Sequence, residues 1–219
     1  MTEPQTTDVA VSADGDKGLA MRGLWEVFYR PAAFFTELKN QPRVLVAICT
    51  IMILSAVYFF FMSGTILEVQ MSSPQAQERL QGQPLPPAAA TIWKVVIGVV
   101  GTITGPIVTL VTALFALFWG NFVFAGRATY RQLFSVMLYG SIIPIVGLLA
   151  GLPIQLAKDS FVPPFSLGVL AADQGMESPL FVLLSKFDVF GIFELVVVGI
   201  GLSVVYNVTR SRGFWLSLL

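Results

Sequence analysis

The sequence predicts an all-α fold: a polytopic α-helical membrane bundle with four clear transmembrane helices, the start of a fifth, and N-terminal interfacial helices. Hydrophobic residues make up 55% of the 219 residues and charged residues only 12%, about half the charged share of a soluble domain. Four runs are long and apolar enough to cross a hydrocarbon core of ~30 Å. The fourth run contains one carboxylate, Glu194, and such a residue usually faces the interior of a helical bundle.

The segment before the first run divides into two parts. Residues 1–18 are polar and acidic, which predicts a disordered cytosolic tail without a signal peptide. Residues 19–43 mix aromatic and charged side chains and are too charged to span a membrane. We expect two short amphipathic helices here, separated at Pro31, which suits the first turn of a helix. They are expected to lie on the membrane surface or, alternatively, to pack beneath the bundle.

The transmembrane domain is predicted over residues 44–219. Its spans are expected at about 44–62, 92–123, 133–156 and 186–207, with a partial span at 213–219. The second span is too long for an upright helix, and Trp93 and Trp119 are expected to anchor it at the two interfaces. The connection at 63–90 is rich in Gln, Ser and Pro, which predicts an extended or disordered segment. Residues 158–186 are predicted to form a long loop with re-entrant or surface-lying apolar pieces.

The distribution of basic residues predicts the orientation. With the N-terminus inside, nine of the 13 basic residues fall on the cytoplasmic side, and the other four are Arg79, Lys94, Lys158 and Lys186. The positive-inside rule therefore predicts a multi-pass membrane protein with a cytoplasmic N-terminus.

Two kinds of helix-packing signal occur in the spans. Small residues recur at a spacing of four, which allows close approach of helix backbones; these pairs are Gly101 and Gly105, Gly147 and Gly151, and Gly199 and Ser203. They favour packing within the bundle, and a dimer face is the alternative. Pro106 and Pro144 interrupt the helical hydrogen bonds and predict kinks. Prolines are ordinary in membrane helices, although carbonyl groups freed by a kink can also line a transport path.

Two carboxylates of the fourth span are candidate functional residues. Glu194 is expected near mid-membrane, where it is neutral or hydrogen-bonded and locks the bundle, or binds a partner helix or headgroup, or couples to protons. Its candidate hydrogen-bond partners are Thr104, Thr109, Asn121, Tyr139 and Ser141. Asp188 ends a Ser-x-x-Asp pattern that begins at Ser185 and predicts a capping box. We interpret Asp188 as a cap or interfacial charge rather than a catalytic group.

The composition argues against several classes of site. Histidine is absent and Cys49 is the single cysteine, so we expect no histidine triad, no metal site and no intrachain disulfide. A formal net charge of zero gives no sign of nucleic-acid binding. Nucleophile elbows and phosphate-binding loops are missing, so no catalytic residue and no cofactor are expected.

Three stretches in this order resemble a bacterial member of the Yip1 domain family. They are FYRPAAFFTELKNQPR, GRATYRQLFSVMLYGSIIP and LLSKFDVFGIFELVVVGIGLSVV, and the resemblance covers most of residues 25–215. It implies five spans, a cytosolic N-terminus and no known enzymatic activity. Phe193 stands where the family usually has Trp before the Glu of this span, and the fifth span is nearly absent. Eukaryotic relatives act in vesicle trafficking and contact small GTPases, a role that does not carry over to a bacterial chain.

These observations favour a non-enzymatic integral membrane protein. We expect an adaptor or accessory subunit that organises the bilayer or binds other integral membrane proteins or further copies of itself, with membrane lipids around it. The alternative is a transport or lipid-translocating component that uses the proline-kinked helices and Glu194.

Overall fold

The computed structural model describes residues 21–81, 83, 85–124, 126–176 and 178–218, and these residues form helices but no strand. The predicted tail at residues 1–18 lies outside them. The α-helices are α1 (21–29), α2 (Pro31–Asn40), α3 (Leu45–Met71), α4 (Pro74–Leu80), α5 (Pro87–Phe124), α6 (Tyr130–Ala157), α7 (Pro179–Ser185), α8 (Val189–Tyr206) and α9 (Arg210–Ser217), and a 3-10 helix covers Leu167–Gln174.

Four of these helices, α3, α5, α6 and α8, are long and apolar enough to cross a membrane. This confirms the predicted all-α polytopic bundle. The helix α9 occupies the position of the predicted partial span. Its eight residues extend only ~12 Å, which is too short to cross a hydrocarbon core.

The connection after the first span is more helical than predicted. α3 continues past residue 62 to Met71, and α4 follows almost at once, so the expectation of extended or disordered chain is wrong for this part. The continuation is held by packing, because Ile66 is buried with Tyr58 and Met62 in one apolar cluster. Pro74 occupies the first turn of α4, and the Ser73 side chain caps it by accepting a hydrogen bond from Ala76 N.

The loop after α6 also contains short helices. The apolar pieces predicted in residues 158–186 form the 3-10 helix and α7. Pro179 begins α7, and Ser178 Oγ accepts a hydrogen bond from Phe181 N at 3.1 Å. An antiparallel bridge between Ser166 and Asp188 joins this region to the start of α8.

The segment before α3 forms the two short helices that the sequence predicts, and α2 begins at Pro31. Phe34 and Phe35 are almost fully buried. The Phe34 ring meets the Tyr139 ring of α6 edge-on at a centroid distance of 4.7 Å, and Phe35 lies against Gly201 of α8. Packing on the bundle, the alternative to a surface-lying helix, therefore describes α2. By contrast, α1 exposes Trp25.

The chain divides into two compact units. The first comprises Met1–Cys49, Thr112–Ile142 and Leu195–Leu219, and the second comprises Thr50–Val111 and Ile143–Glu194. The first unit is tied together by Lys39, whose Nζ donates to Val204 O at 3.0 Å and to Asn207 Oδ1 at 2.8 Å. The second unit is built around Tyr58, Met62 and Ile66. Each of the four long helices contributes residues to both units.

Candidate functional site

Glu194 lies closer to a helix end than the sequence suggests. α8 begins at Val189 and not near Ser185, so Glu194 stands only ~8 Å along the helix from its first residue. The mid-membrane position of Glu194 stays a prediction. The side chain is half-buried. Its carboxyl forms no hydrogen bond or ion pair with the described residues of its own unit.

The side chains considered as partners of Glu194 have other contacts. Thr104 and Thr109 belong to the same unit, and their hydroxyl groups donate to Val100 O at 2.7 Å and Gly105 O at 3.0 Å. Such bonds keep a threonine hydroxyl on its own helix. The other three candidates, Asn121, Tyr139 and Ser141, belong to the first unit. A bundle-locking role for Glu194 thus gains no support from hydrogen bonds within its unit.

Asp188 is the cap of α8. Its Oδ1 accepts hydrogen bonds from Phe190 N and Gly191 N, both at 2.9 Å. A carboxylate here satisfies amide groups that have no partner within the helix and also favours the positive end of the helix dipole. The interpretation of Asp188 as a cap is confirmed. The predicted capping box is wrong, however, because Ser185 ends α7 and its buried Oγ has no partner in the described chain.

The predicted small-residue pairs lie at close contacts within the chain. A Cβ atom at Gly101 would stand 2.6 Å from the Phe59 ring, and one at Gly151 would stand 2.7 Å from Pro164. Gly147 leaves room for the Phe190 ring in the same way. The pair Gly199 and Ser203 lies against α9, where Gly213 allows backbone contact. Gly105 is looser, with Ile51 at 4.0 Å. These contacts fit packing within the chain.

The predicted kink residues, Pro106 and Pro144, both lie inside helices that continue through them. α6 contains a second internal proline, Pro153, which is not among the predicted kink residues. Near it, Gln155 is buried and accepts a hydrogen bond from Tyr58 Oη at 3.2 Å. The Gln155 amide also donates to Phe161 O at 3.3 Å. This buried polar contact has no local signal, because its partners are far apart in sequence.

Two apolar grooves along α5 were also not predicted. One has a volume of about 670 Å³ and is lined by Leu114, Phe115, Leu117, Phe118, Asn121 and Phe122. We call it the aromatic groove. The other has a volume of about 600 Å³, lies between α3 and α5, and includes Lys94. We call it the α3–α5 groove. The helical spacing of its apolar residues could have indicated the aromatic groove from the sequence. No sequence pattern indicates the α3–α5 groove.

The fold and these features define a polytopic helical membrane protein in which the described residues hold no cluster of metal-binding side chains. Residues 25–219 match the family model of the Yip1 domain, so the chain belongs to the Yip1 domain family. It is similar to membrane protein YknW of Bacillus subtilis (strain 168), with 27% identity over 203 residues that cover 90% of this chain and 83% of YknW. No solved structure shows a significant match. The resemblance inferred from the three sequence stretches is thereby confirmed, and Yip1 family proteins are generally non-enzymatic.

Proposed function

We propose that this protein is a non-enzymatic adaptor or accessory subunit of the bacterial cytoplasmic membrane, with a cytoplasmic N-terminus. In this proposal it binds another integral membrane protein through the aromatic groove of α5. The observation that carries the proposal is the exposure of α5, and three steps lead from that exposure to a protein partner.

The first step is the low burial of α5 within its own chain. In the most apolar stretch of α5 only 6% of the residues are buried, against 28% in α3, 44% in α8 and 56% in α6. A helix in the middle of a sequence normally packs one face on its neighbours. The apolar surface of α5 is therefore covered by lipid or by another protein.

The second step is that the bilayer is too thin to cover all of α5. Its 38 residues extend ~57 Å at ~1.5 Å per residue. A straight helix of that length would need a tilt of ~58° to fit a hydrocarbon core of ~30 Å, whereas membrane helices tilt by roughly 0–40°. If Trp93 marks one interface, a helix tilted by roughly 0–40° crosses the core in ~30–39 Å, which places the other interface between about residues 113 and 119. The helix continues from there to Phe124, so the aromatic groove lies at or beyond that interface.

The third step is the chemistry of that end. Phe115, Phe118 and Phe122 are 60%, 65% and 76% exposed and share one helix face by their spacing. Phe118 and Phe122 are stacked with ring centroids 6.3 Å apart. Exposed aromatic side chains beside a groove are typical anchors of protein interfaces. The pattern supports a helix of another membrane protein as the occupant.

The proposal is tested by purifying the tagged chain from native membranes into lipid discs and quantifying the co-purifying membrane proteins by mass spectrometry. We expect a near-stoichiometric partner whose recovery falls at least tenfold in a variant carrying Phe118→Leu and Phe122→Leu, because two aromatic anchors together contribute more than ~1.4 kcal/mol. Leucine keeps the surface apolar, so insertion into the bilayer is preserved.

The matched control carries Phe61→Leu and Phe187→Leu, which change two exposed aromatic residues outside the aromatic groove. The control should recover the partner at the wild-type level. Recovery of no membrane protein with the wild-type chain, or equal losses in both variants, would contradict the proposal.

A further inference from the structure

We infer that the α3–α5 groove binds one anionic phospholipid, with an acyl chain along the groove and the phosphate at Lys94. This site uses the N-terminal half of α5 and shares no lining residue with the aromatic groove. The lipid site and the proposed protein partner can therefore be tested independently.

The register of α3 and α5 is antiparallel. Gly64 faces the Lys94 side chain, Phe59 lies against Gly101, and Ile51 approaches Gly105. The two helices therefore line the groove in opposite directions. Its apolar length is formed by Met52, Ala56, Phe59, Gly98, Val99 and Ile103. The volume of about 600 Å³ falls within the range of small-molecule sites, ~300–1,000 Å³.

One end of the groove is polar. The register brings Ser63 of α3 together with Thr91 and Lys94 of α5, and all three residues line the groove. The Ser63 and Thr91 hydroxyl groups donate to carbonyl oxygens of their own helices. Lys94 forms no salt bridge or hydrogen bond within the described part of the chain. Its ammonium group therefore has three donors available for an anion.

The neighbouring residue places this polar end at the level of the lipid headgroups. Trp93 precedes Lys94 and is partly exposed, and tryptophan side chains concentrate at the membrane interface. From Lys94, the groove follows α5 to Ile103 for roughly 13 Å, toward the hydrocarbon core. A cation at the headgroup level above an apolar channel fits a molecule with one anionic end and one hydrocarbon tail. An anionic phospholipid has this chemistry, and Lys94 would attract it over a zwitterionic lipid.

The test is native mass spectrometry of the full chain, delipidated in mild detergent and titrated with phosphatidylglycerol or with phosphatidylcholine. We expect one phosphatidylglycerol per chain at saturation and weaker binding of phosphatidylcholine. Lys94→Gln should lower the affinity for phosphatidylglycerol about fivefold, the effect of one basic residue near an anionic lipid, and should leave phosphatidylcholine binding unchanged. Inorganic phosphate at the same concentration should not displace the lipid.

A second variant, Gly98→Leu, tests the acyl-chain part. A Cβ atom at Gly98 would meet no other atom within 4 Å, and Gly98 lines the groove, so a leucine side chain is expected to extend into the groove. It should reduce the affinity for phosphatidylglycerol at least tenfold. Lys186→Gln and Val100→Leu are the matched controls, because neither residue lines the groove, and both should bind like the wild-type chain.

Three results would overturn the inference. The first is equal binding of the two lipids together with an unchanged affinity in Lys94→Gln. The second is displacement of the lipid by inorganic phosphate, which would mean that only the anion is recognised. The third is a chain dimer that forms without lipid and disappears in Gly98→Leu, which would assign the groove to a second copy of the chain.

Discussion

The helices α5 and α6 are comparably apolar, but they have opposite surroundings. In the most apolar stretch of α6, 56% of the residues are buried, against 6% in α5. α6 carries a buried tyrosine, Tyr139, and buried leucines at positions 133 and 138, whereas α5 presents valine, isoleucine and phenylalanine outward. Apolar character places both helices in the membrane. It does not decide which one packs inside the chain, because lipid is as apolar as leucine and contact depends on shape.

The largest expected effect compares two leucines. Leu138 of α6 is fully buried, whereas Leu114 of α5 is 55% exposed. Leu138→Ala should lower the free energy of unfolding by about 3 kcal/mol, because it leaves a cavity among packed side chains. Leu114→Ala should cost less than ~1 kcal/mol, since the membrane or detergent fills the space. Titration of the purified chain with sodium dodecyl sulfate, followed by tryptophan fluorescence, measures both. Equal losses of unfolding free energy in the two variants would contradict the difference in burial between α6 and α5.

A second comparison uses two glycines. Gly147 of α6 lies directly against the Phe190 ring, whereas Gly98 of α5 faces open space. We expect Gly147→Ala to destabilise the chain by about 2 kcal/mol, the usual cost of forcing an extra group into a packed site. Gly98→Ala should leave stability unchanged or slightly raise it, because alanine is the better helix former. The same detergent titration measures both variants. If Gly147→Ala unfolds at the same detergent concentration as the wild-type chain, the close contact between Gly147 and Phe190 is refuted.

The sequence was sufficient for features that depend on local composition. Four long apolar runs predict the four spanning helices, and Pro31 predicts the start of α2, because both signals lie within the segment that they describe. Packing that joins distant segments was not predictable. The continuation of α3 to Met71 depends on burial of Ile66 in a tertiary cluster, which outweighs the Gln- and Ser-rich composition of the connection after it.

The candidate site shows the same limit. Asp188 was identified as a cap from its position before an apolar run, but the same pattern placed the helix start too early, at Ser185 instead of Val189. That shift places Glu194 nearer the start of α8 than the sequence predicts, and the bundle lock stays a prediction. The α3–α5 groove depends on the contact between Phe59 and Gly101. Two residues on different helices leave no periodic signal in a single sequence.

The smallest expected effect compares buried and exposed polar side chains. Gln155 of α6 is buried and accepts a hydrogen bond from Tyr58 Oη at 3.2 Å, whereas Thr104 of α5 is exposed and donates to Val100 O of its own helix. Gln155→Leu should lower the free energy of unfolding by about 1 kcal/mol, because it leaves the Tyr58 hydroxyl without this acceptor. Thr104→Val should change it by less than ~0.5 kcal/mol. The double variant Gln155→Leu with Tyr58→Phe distinguishes the loss of the Tyr58 hydrogen bond from the other effects of removing Gln155. Recovery of stability in the double variant would assign the loss to the unpartnered Tyr58 hydroxyl. A loss as large as the single variant's would assign it to the lost hydrogen bond from Gln155 to Phe161 O or to altered packing, and would contradict the explanation through Tyr58.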